Sequence, residues 1–253
     1  MNRIWEFIKY QIQAKNLHGT HSPFVYELYE NVFDKDISFY AFQEIDKRRD
    51  DLLASSELIA VEDHGAGSKT NAGSTRKVKD IVKSASKPKK YGEFLFRLCR
   101  YLEVKRTLEL GTSVGLGSAY IAKANNSEHY TIEGASEIHR IAEATFKALD
   151  LEVKAVCNTF KKEIPQLTGK FDLIYIDGHH HGPAMLEYME LLLPLLSPEG
   201  VFVLDDIRWS SDMHDAWQTV VKDPSYQVTI DLFEMGLAFN KPSQRKEHFV
   251  LRY

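Results

Sequence analysis

No apolar run in the 253-residue sequence approaches the roughly 20 residues that a membrane-spanning helix needs. No secretion signal is expected either. The opening "MNRIWEFIKYQIQAKN" is amphipathic but charged throughout, with neither an apolar centre nor a small-residue cleavage site. The expected location is therefore cytoplasmic, with no membrane partner. Cysteine is scarce: Cys99 ("FRLCRYL") and Cys157 ("VKAVCNTF") are far apart, and both sit in apolar settings. Two buried thiols are expected, with no disulfide framework and no CxxC or Cys/His zinc spacing. A strong charge imbalance is also missing, since 32 Lys and Arg face 36 Asp and Glu for a net −4. That acidity weighs against a nucleic-acid partner.

One charged stretch is present. From Lys69 to Arg106 the basic residues include Arg76, Lys77, Lys79, Lys83, Lys87, Lys89, Lys90, Arg97, Arg100 and Lys105, opposed only by Asp80, Glu93 and Glu103. It can draw in an anion, or simply solubilise a helix face. The surrounding chain divides into two parts, 1–85 and 86–253. The first is expected to be a helical, partly irregular cap. "HSPFVYELYENVF" offers Ser22 as N-cap and Pro23 at the first helical position, with apolar residues at helical spacing. "SFYAFQEIDKRRDDLLA" is a second helix. "EDHGAGSKTNAGST" is rich in loop formers and is expected to be a lid that orders when ligand binds.

After residue 85, short apolar runs alternate with amphipathic stretches. "RTLEL", "HYTIEG", "EVKAVC", "FDLIYID" and "GVFVLDD" read as strands with helices between them, followed by "YQVTIDLF", "MGLAFN" and "HFVLRY". This rhythm predicts an α/β, doubly wound, mostly parallel sheet, with an antiparallel element at one edge.

Two features suggest a nucleoside cofactor. "TLELGTSVGLGS" places a glycine-rich turn between the first of these strands and its helix, where backbone N–H groups can meet a ligand. Gly111, Gly115 and Gly117 do not have the spacing of a dinucleotide fingerprint. Glu109 precedes the turn and Ser113 lies within it. The next strand ends in Glu133, roughly 20 residues farther on, where a carboxylate can accept both ribose hydroxyls.

As a set, "KPKKYGEFLFRLC", "LELGTSVGLGSAYIA", "TIEG", "IPQL", "FDLIYIDGHH" and "LLPLLSPEGVFVLDDI" resemble a class I S-adenosylmethionine-dependent methyltransferase. The likeness is greatest to metal-dependent small-molecule O-methyltransferases of the catechol and macrolide-sugar kinds. It implies a seven-stranded Rossmann-like sheet with an N-terminal helical cap, and it is compatible with a homodimer. It further implies cofactor contacts from Glu109, Gly111, Ser113, Gly115, Gly117, Glu133, Asn158, Phe160, Asp177 and His179. The acceptor would be a small-molecule hydroxyl. Mg²⁺ or Mn²⁺ would be held by Asp177, Asp205 and Asp206, which match the family's ligand positions and offer hard oxygens.

His180, three residues after Asp177, falls where these enzymes keep a lysine or histidine base. An imidazole titrates near neutrality and can take a hydroxyl proton. His180 with Asp177 is the expected catalytic pair. His179 is placed to approach the cofactor, and His181 to open the following helix. His18, His21, His64 and His214 are read as surface or core residues. Two rival readings stay open: a methyltransferase acting on RNA or another polyanion, and a cofactor-binding protein without catalysis.

Overall fold

The computed structural model describes residues 3–15, 22–33, 37–61 and 74–253. Residues 62–73 of the lid stretch 62–75, with His64 and Lys69, and also His18 and His21, lie outside the described residues, while its last two residues, Ser74 and Thr75, are in a strand. In chain order the elements begin with α1 (Arg3–Gln13), α2 (Pro23–Val32), α3 (Tyr40–Ala54), β1 (Leu58–Val61), β2 (Ser74–Lys77), α4 (Val78–Ala85) and α5 (Lys89–Tyr101). There follow β3 (Arg106–Leu110), α6 (Leu116–Ala124), β4 (Glu128–Glu133), α7 (Ser136–Ala148), β5 (Val153–Cys157), α8 (Phe160–Glu163) and β6 (Phe171–Ile176). The chain closes with α9 (Gly182–Leu192), β7 (Leu196–Leu204), α10 (Ser211–Lys222), β8 (Val228–Asp231), β9 (Gly236–Phe239) and β10 (Glu247–Val250). No helix among the described residues is long and apolar enough to cross a membrane.

By contact density the chain forms two compact units, Met1–Glu30 with Thr168–Tyr253, and Asn31–Leu167. These cuts differ from the division at residue 85, because they follow packing and not the change in sequence rhythm. The strands β3 to β10 belong to a mixed, mostly parallel, eight-stranded sheet. The expected count was seven. The additional strand is β10, which runs parallel to β8 with Phe249 opposite Ile230.

In the unit Asn31–Leu167, β3, β4 and β5 pair in parallel, with Glu109 opposite Thr131 and Glu133 opposite Cys157. From Thr107 to Leu110 every residue of β3 is buried, as expected of a strand covered on both faces. Cys99 is buried as foreseen, but Cys157 is exposed, because it ends a strand whose residues are only partly covered. The hairpin of β1 and β2 is a departure from the helical reading of 1–85. Leu58 pairs with Lys77 and Val61 with Ser74, and the sequence "STRK" has no apolar alternation to announce a strand.

In the other unit β6 and β7 run parallel, with Ile176 opposite Leu204. The antiparallel element is β9, which pairs with both β7 and β8. The residues after β7 are pinned from below. Buried Arg208 donates two bonds of 2.7 Å to Asp231, and Asp231 also accepts from the indole of buried Trp217 at 3.2 Å. Leaving either charge of such a pair alone costs about 3–5 kcal/mol, so the backbone that carries Asp205 and Asp206 is held firmly.

Candidate active site

The glycine turn belongs to the unit Asn31–Leu167. Three successive odd positions have positive φ: Gly111 at 102°, Ser113 at 48° and Gly115 at 82°. Gly111 N–H bonds Ile132 O at 3.0 Å, Gly115 N–H bonds Thr112 O at 3.0 Å, and Ala119 N–H bonds Gly115 O at 3.0 Å to begin α6. Gly115 is required twice over. Its backbone is left-handed, and a Cβ there would lie 2.9 Å from the Phe146 ring. The turn thus leads into the positive end of α6, a natural seat for an electron-rich ligand.

Glu133, at the end of β4, is clamped to this turn. Its Oε2 accepts Ser113 N–H at 2.9 Å, and its Oε1 accepts Ala135 N–H at 3.0 Å. Burial raises its pKa above the ordinary carboxylate value and nearby Glu109 adds to the rise, while the backbone N–H groups oppose it. Each carboxylate oxygen keeps a lone pair, and the pair can accept two neighbouring hydroxyls. The turn's left-handed glycine and this fixed carboxylate suit a ribose-bearing cofactor.

Three more of the expected cofactor residues have defined places. Glu109 is 1 % exposed and lies under the turn. It accepts from Thr131 Oγ1 at 2.6 Å and from the Ser118 hydroxyl, and a Cβ at Gly117 would sit 3.3 Å from its Oε1. Asn158 donates to Glu163 Oε2 at 2.8 Å and accepts Thr159 N–H at 2.9 Å, so its amide is oriented by the protein. Phe160 opens the short helix α8 and is half-buried.

The acid and histidine residues belong to the other unit. Asp177 and Asp205 each follow one of the paired residues Ile176 and Leu204, so one register places both at neighbouring strand ends. The three histidines then diverge. His179, with φ of 64°, turns its Nδ1 to Tyr188 Oη at 2.7 Å. His180 places Nδ1 3.7 Å from Asp206 Oδ2, with 32 % of its side chain exposed, and its ring lies 5.6 Å from that of Trp209. His181 is the N-cap residue of α9, as its place before "GPAMLEYME" suggested. The start of α9 is locked by Asp212, whose Oδ2 accepts Gly182 N–H at 2.8 Å. A Cβ on Gly182 would fall 2.1 Å from Asp212 O, so only glycine fits. His214 stands on α10, where burial, with Arg208 adding, lowers its pKa below 6.5.

The expected metal cluster is not assembled. Among the described residues no group of three or more His, Cys, Asp or Glu is placed to hold an ion. Asp177 Oδ2 accepts Tyr175 Oη–H at 2.8 Å, Asp205 is 3 % exposed, and Asp206, with φ of 50°, faces His180. The donors are chemically suited to Mg²⁺, but their arrangement does not fit one.

Sequence reasoning did not find the pairing of His180 with Asp206 or the place of Trp209 beside it. Asp206 and Trp209 are three residues apart, joined by a turn in which Trp209 N–H bonds Asp206 O at 2.8 Å. That spacing was the only available signal.

Residues 108–207 match a family described as a methyltransferase domain. Over 126 residues the chain is 32 % identical to O-methyltransferase hkm8 of Aspergillus hancockii, covering 46 % of this chain and 50 % of that one. It is 28 % identical over 160 residues to a catechol O-methyltransferase of Niastella koreensis, covering 60 % of this chain and 70 % of the relative. The chain thus spans about half the length of the Aspergillus protein. The structure of an O-methyltransferase from Bacillus cereus in complex with SAH is similar in fold, with a TM-score of 0.58 at 15 % identity, covering 84 % of this chain and 96 % of that one.

Proposed function

We propose that this chain, which carries a methyltransferase domain at residues 108–207, is an S-adenosylmethionine-dependent O-methyltransferase acting on a hydroxyl of a small molecule. The observation that carries the reading is the clamp between Glu133 and the glycine turn. A carboxylate fixed by Ser113 and Ala135 N–H groups beside a left-handed glycine entry to a helix is built to hold a nucleoside.

When bound, the cofactor supplies an electrophilic methyl group on a sulfonium. The residues of the chain do the rest. Glu133 would receive the ribose hydroxyls, and the start of α6 would orient the cofactor's polar end. His180 takes the acceptor's hydroxyl proton, and Asp206, 3.7 Å away, stabilises the imidazolium that forms. With its proton gone, the acceptor oxygen would have a free electron pair to take the methyl group that the cofactor supplies. No step is assigned to a divalent ion, because no group of three or more His, Cys, Asp or Glu side chains placed to hold one is found among the described residues.

A small acceptor is favoured over a polyanion because part of the basic stretch is already neutralised. Lys89 pairs with Asp46, Arg106 with Glu128 at 2.9 Å, and Arg97 lies 3.8 Å from Glu93. The test is transfer of label from methyl-labelled S-adenosylmethionine to a panel of phenols, catechols and sugar hydroxyls, with RNA alongside. Labelled RNA with no labelled small molecule would overturn the choice of acceptor.

A further inference from the structure

Beneath the glycine turn lies a set of buried polar side chains that the proposed reaction does not use. Thr107, Glu109, Thr112, Ser118, His129 and Thr131 are each at most 2 % exposed. They form one connected network. Thr107 Oγ1 lies 2.7 Å from His129 Nδ1. His129 Nε2 lies 3.3 Å from Glu109 Oε2. Glu109 Oε2 accepts from Thr131 Oγ1 at 2.6 Å, and Thr131 Oγ1 lies 2.6 Å from Thr112 Oγ1 in the turn itself. Ser118, in the first turn of α6, also donates to Glu109.

This cluster has a cost that strand pairing does not explain. A buried ionisable pair is seldom worth more than an apolar pair of the same volume, and β3 and β4 pair through their backbones whatever these side chains are. What the polar residues share is the turn. Glu109 touches α6 through Ser118 and reaches Thr112 through Thr131, and it lies against Gly117. His129 is a basic group set against that carboxylate. Its Nε2 makes no hydrogen bond, so its contact with Glu109 is one of charge and distance. When Nδ1 accepts a hydrogen bond from the Thr107 hydroxyl, the ring hydrogen stands on Nε2, facing Glu109.

We infer that His129 is a positioning residue of the donor site: it fixes the Glu109 carboxylate under the glycine turn, and so sets the turn geometry on which S-adenosylmethionine binding depends. The inference rests on the donor site proposed above. His129 touches neither cofactor nor acceptor. Its effect passes through Glu109, and it is absent where Glu109 carries no charge.

The experiment is calorimetric titration of the intact chain with S-adenosylmethionine, with a thermal melt of every variant. His129→Leu is expected to fold and to bind the donor about tenfold more weakly, the scale of one charged contact. His129→Gln, which keeps a donor toward Glu109, recovers part of the affinity. In a Glu109→Gln background, His129→Leu causes no further loss, the non-additivity expected of a pair acting as one. Thr107→Val weakens binding in the same direction by less, and it carries the test if His129→Leu does not fold. A lowered melting temperature with unchanged affinity in His129→Leu, or in Thr107→Val if that variant must stand in, would overturn the inference alone. Additive losses with Glu109→Gln would do the same. Wild-type protein that does not bind S-adenosylmethionine would overturn the donor site itself.

Discussion

His180 Nδ1 stands 3.7 Å from Asp206 Oδ2, while its neighbour His179 is bonded to Tyr188 and His181 caps α9. Three adjacent imidazoles therefore have three different settings, and that of His180 faces the Asp206 carboxylate at a partly exposed position. His180→Ala is expected to lower turnover by about 10²–10⁴-fold, the usual scale for a general base, with donor affinity kept. Asp206→Asn should lose less. Raising the pH should recover part of the His180→Ala loss, because the acceptor hydroxyl then ionises unaided. Steady-state rates of the three single His→Ala variants check this, and equal losses in all three would contradict the assignment.

Metal removal separates the dyad from a metal-assisted route. With Asp177, Asp205 and Asp206 not gathered as a three-residue cage, treatment with EDTA is expected to cost less activity than His180→Ala. Complete loss with EDTA, restored by Mg²⁺ or Mn²⁺ and abolished by Asp205→Ala, would place an ion at these carboxylates after all.

Gly115→Ala tests the turn. With φ of 82° and a Cβ 2.9 Å from the Phe146 ring and 3.2 Å from the Ala142 backbone, the substitution should cost about 1–3 kcal/mol of stability. It should also weaken donor binding, because α6 must shift to relieve the contact. Chemical denaturation and calorimetry read the two effects, and an unchanged midpoint would refute the strain.

Two histidines outside the proposed chemistry should govern stability in mild acid. Burial holds His248 and His214 below the ordinary 6.5. His248 is packed against Thr229 Oγ1, 2.9 Å from its Nδ1. Below pH 6.5 the unfolded chain gains protons that the folded chain does not, so stability is full above that value and falls as pH drops toward the folded pKa values. Melting temperatures at about pH 7.5 and about pH 5.5 should differ less in His248→Gln than in the wild type. An unchanged difference would show that His248 is not part of the effect.

The strands that carry the site were legible because they are continuous apolar runs. "RTLEL" and "FDLIYID" coincide with β3 and β6 almost to the residue, and Gly115 showed itself through the strand–turn–helix rhythm. The strand Ser74–Lys77 was not legible, since its four residues are all polar and show no apolar alternation. Nor could sequence separate the two carboxylates of the donor region. Glu133 and Glu109 both flank a strand end, but only packing puts one under the turn with Ser118 and Thr131 and the other against Ser113 N–H. The same limit applies to Asp206. Two adjacent acids after a strand read equally as metal ligands or as partners of a histidine, and the left-handed backbone at Asp206 is a property of the folded turn.

The central claim is that the Glu133 clamp holds S-adenosylmethionine, and titration of the intact chain tests it most directly. Wild-type protein is expected to bind S-adenosylmethionine and not NAD. Glu133→Ala should weaken that binding by about 1–3 kcal/mol, the scale for losing hydrogen bonds to a charged group. Binding of NAD without S-adenosylmethionine, or full S-adenosylmethionine affinity in Glu133→Ala, would contradict the claim.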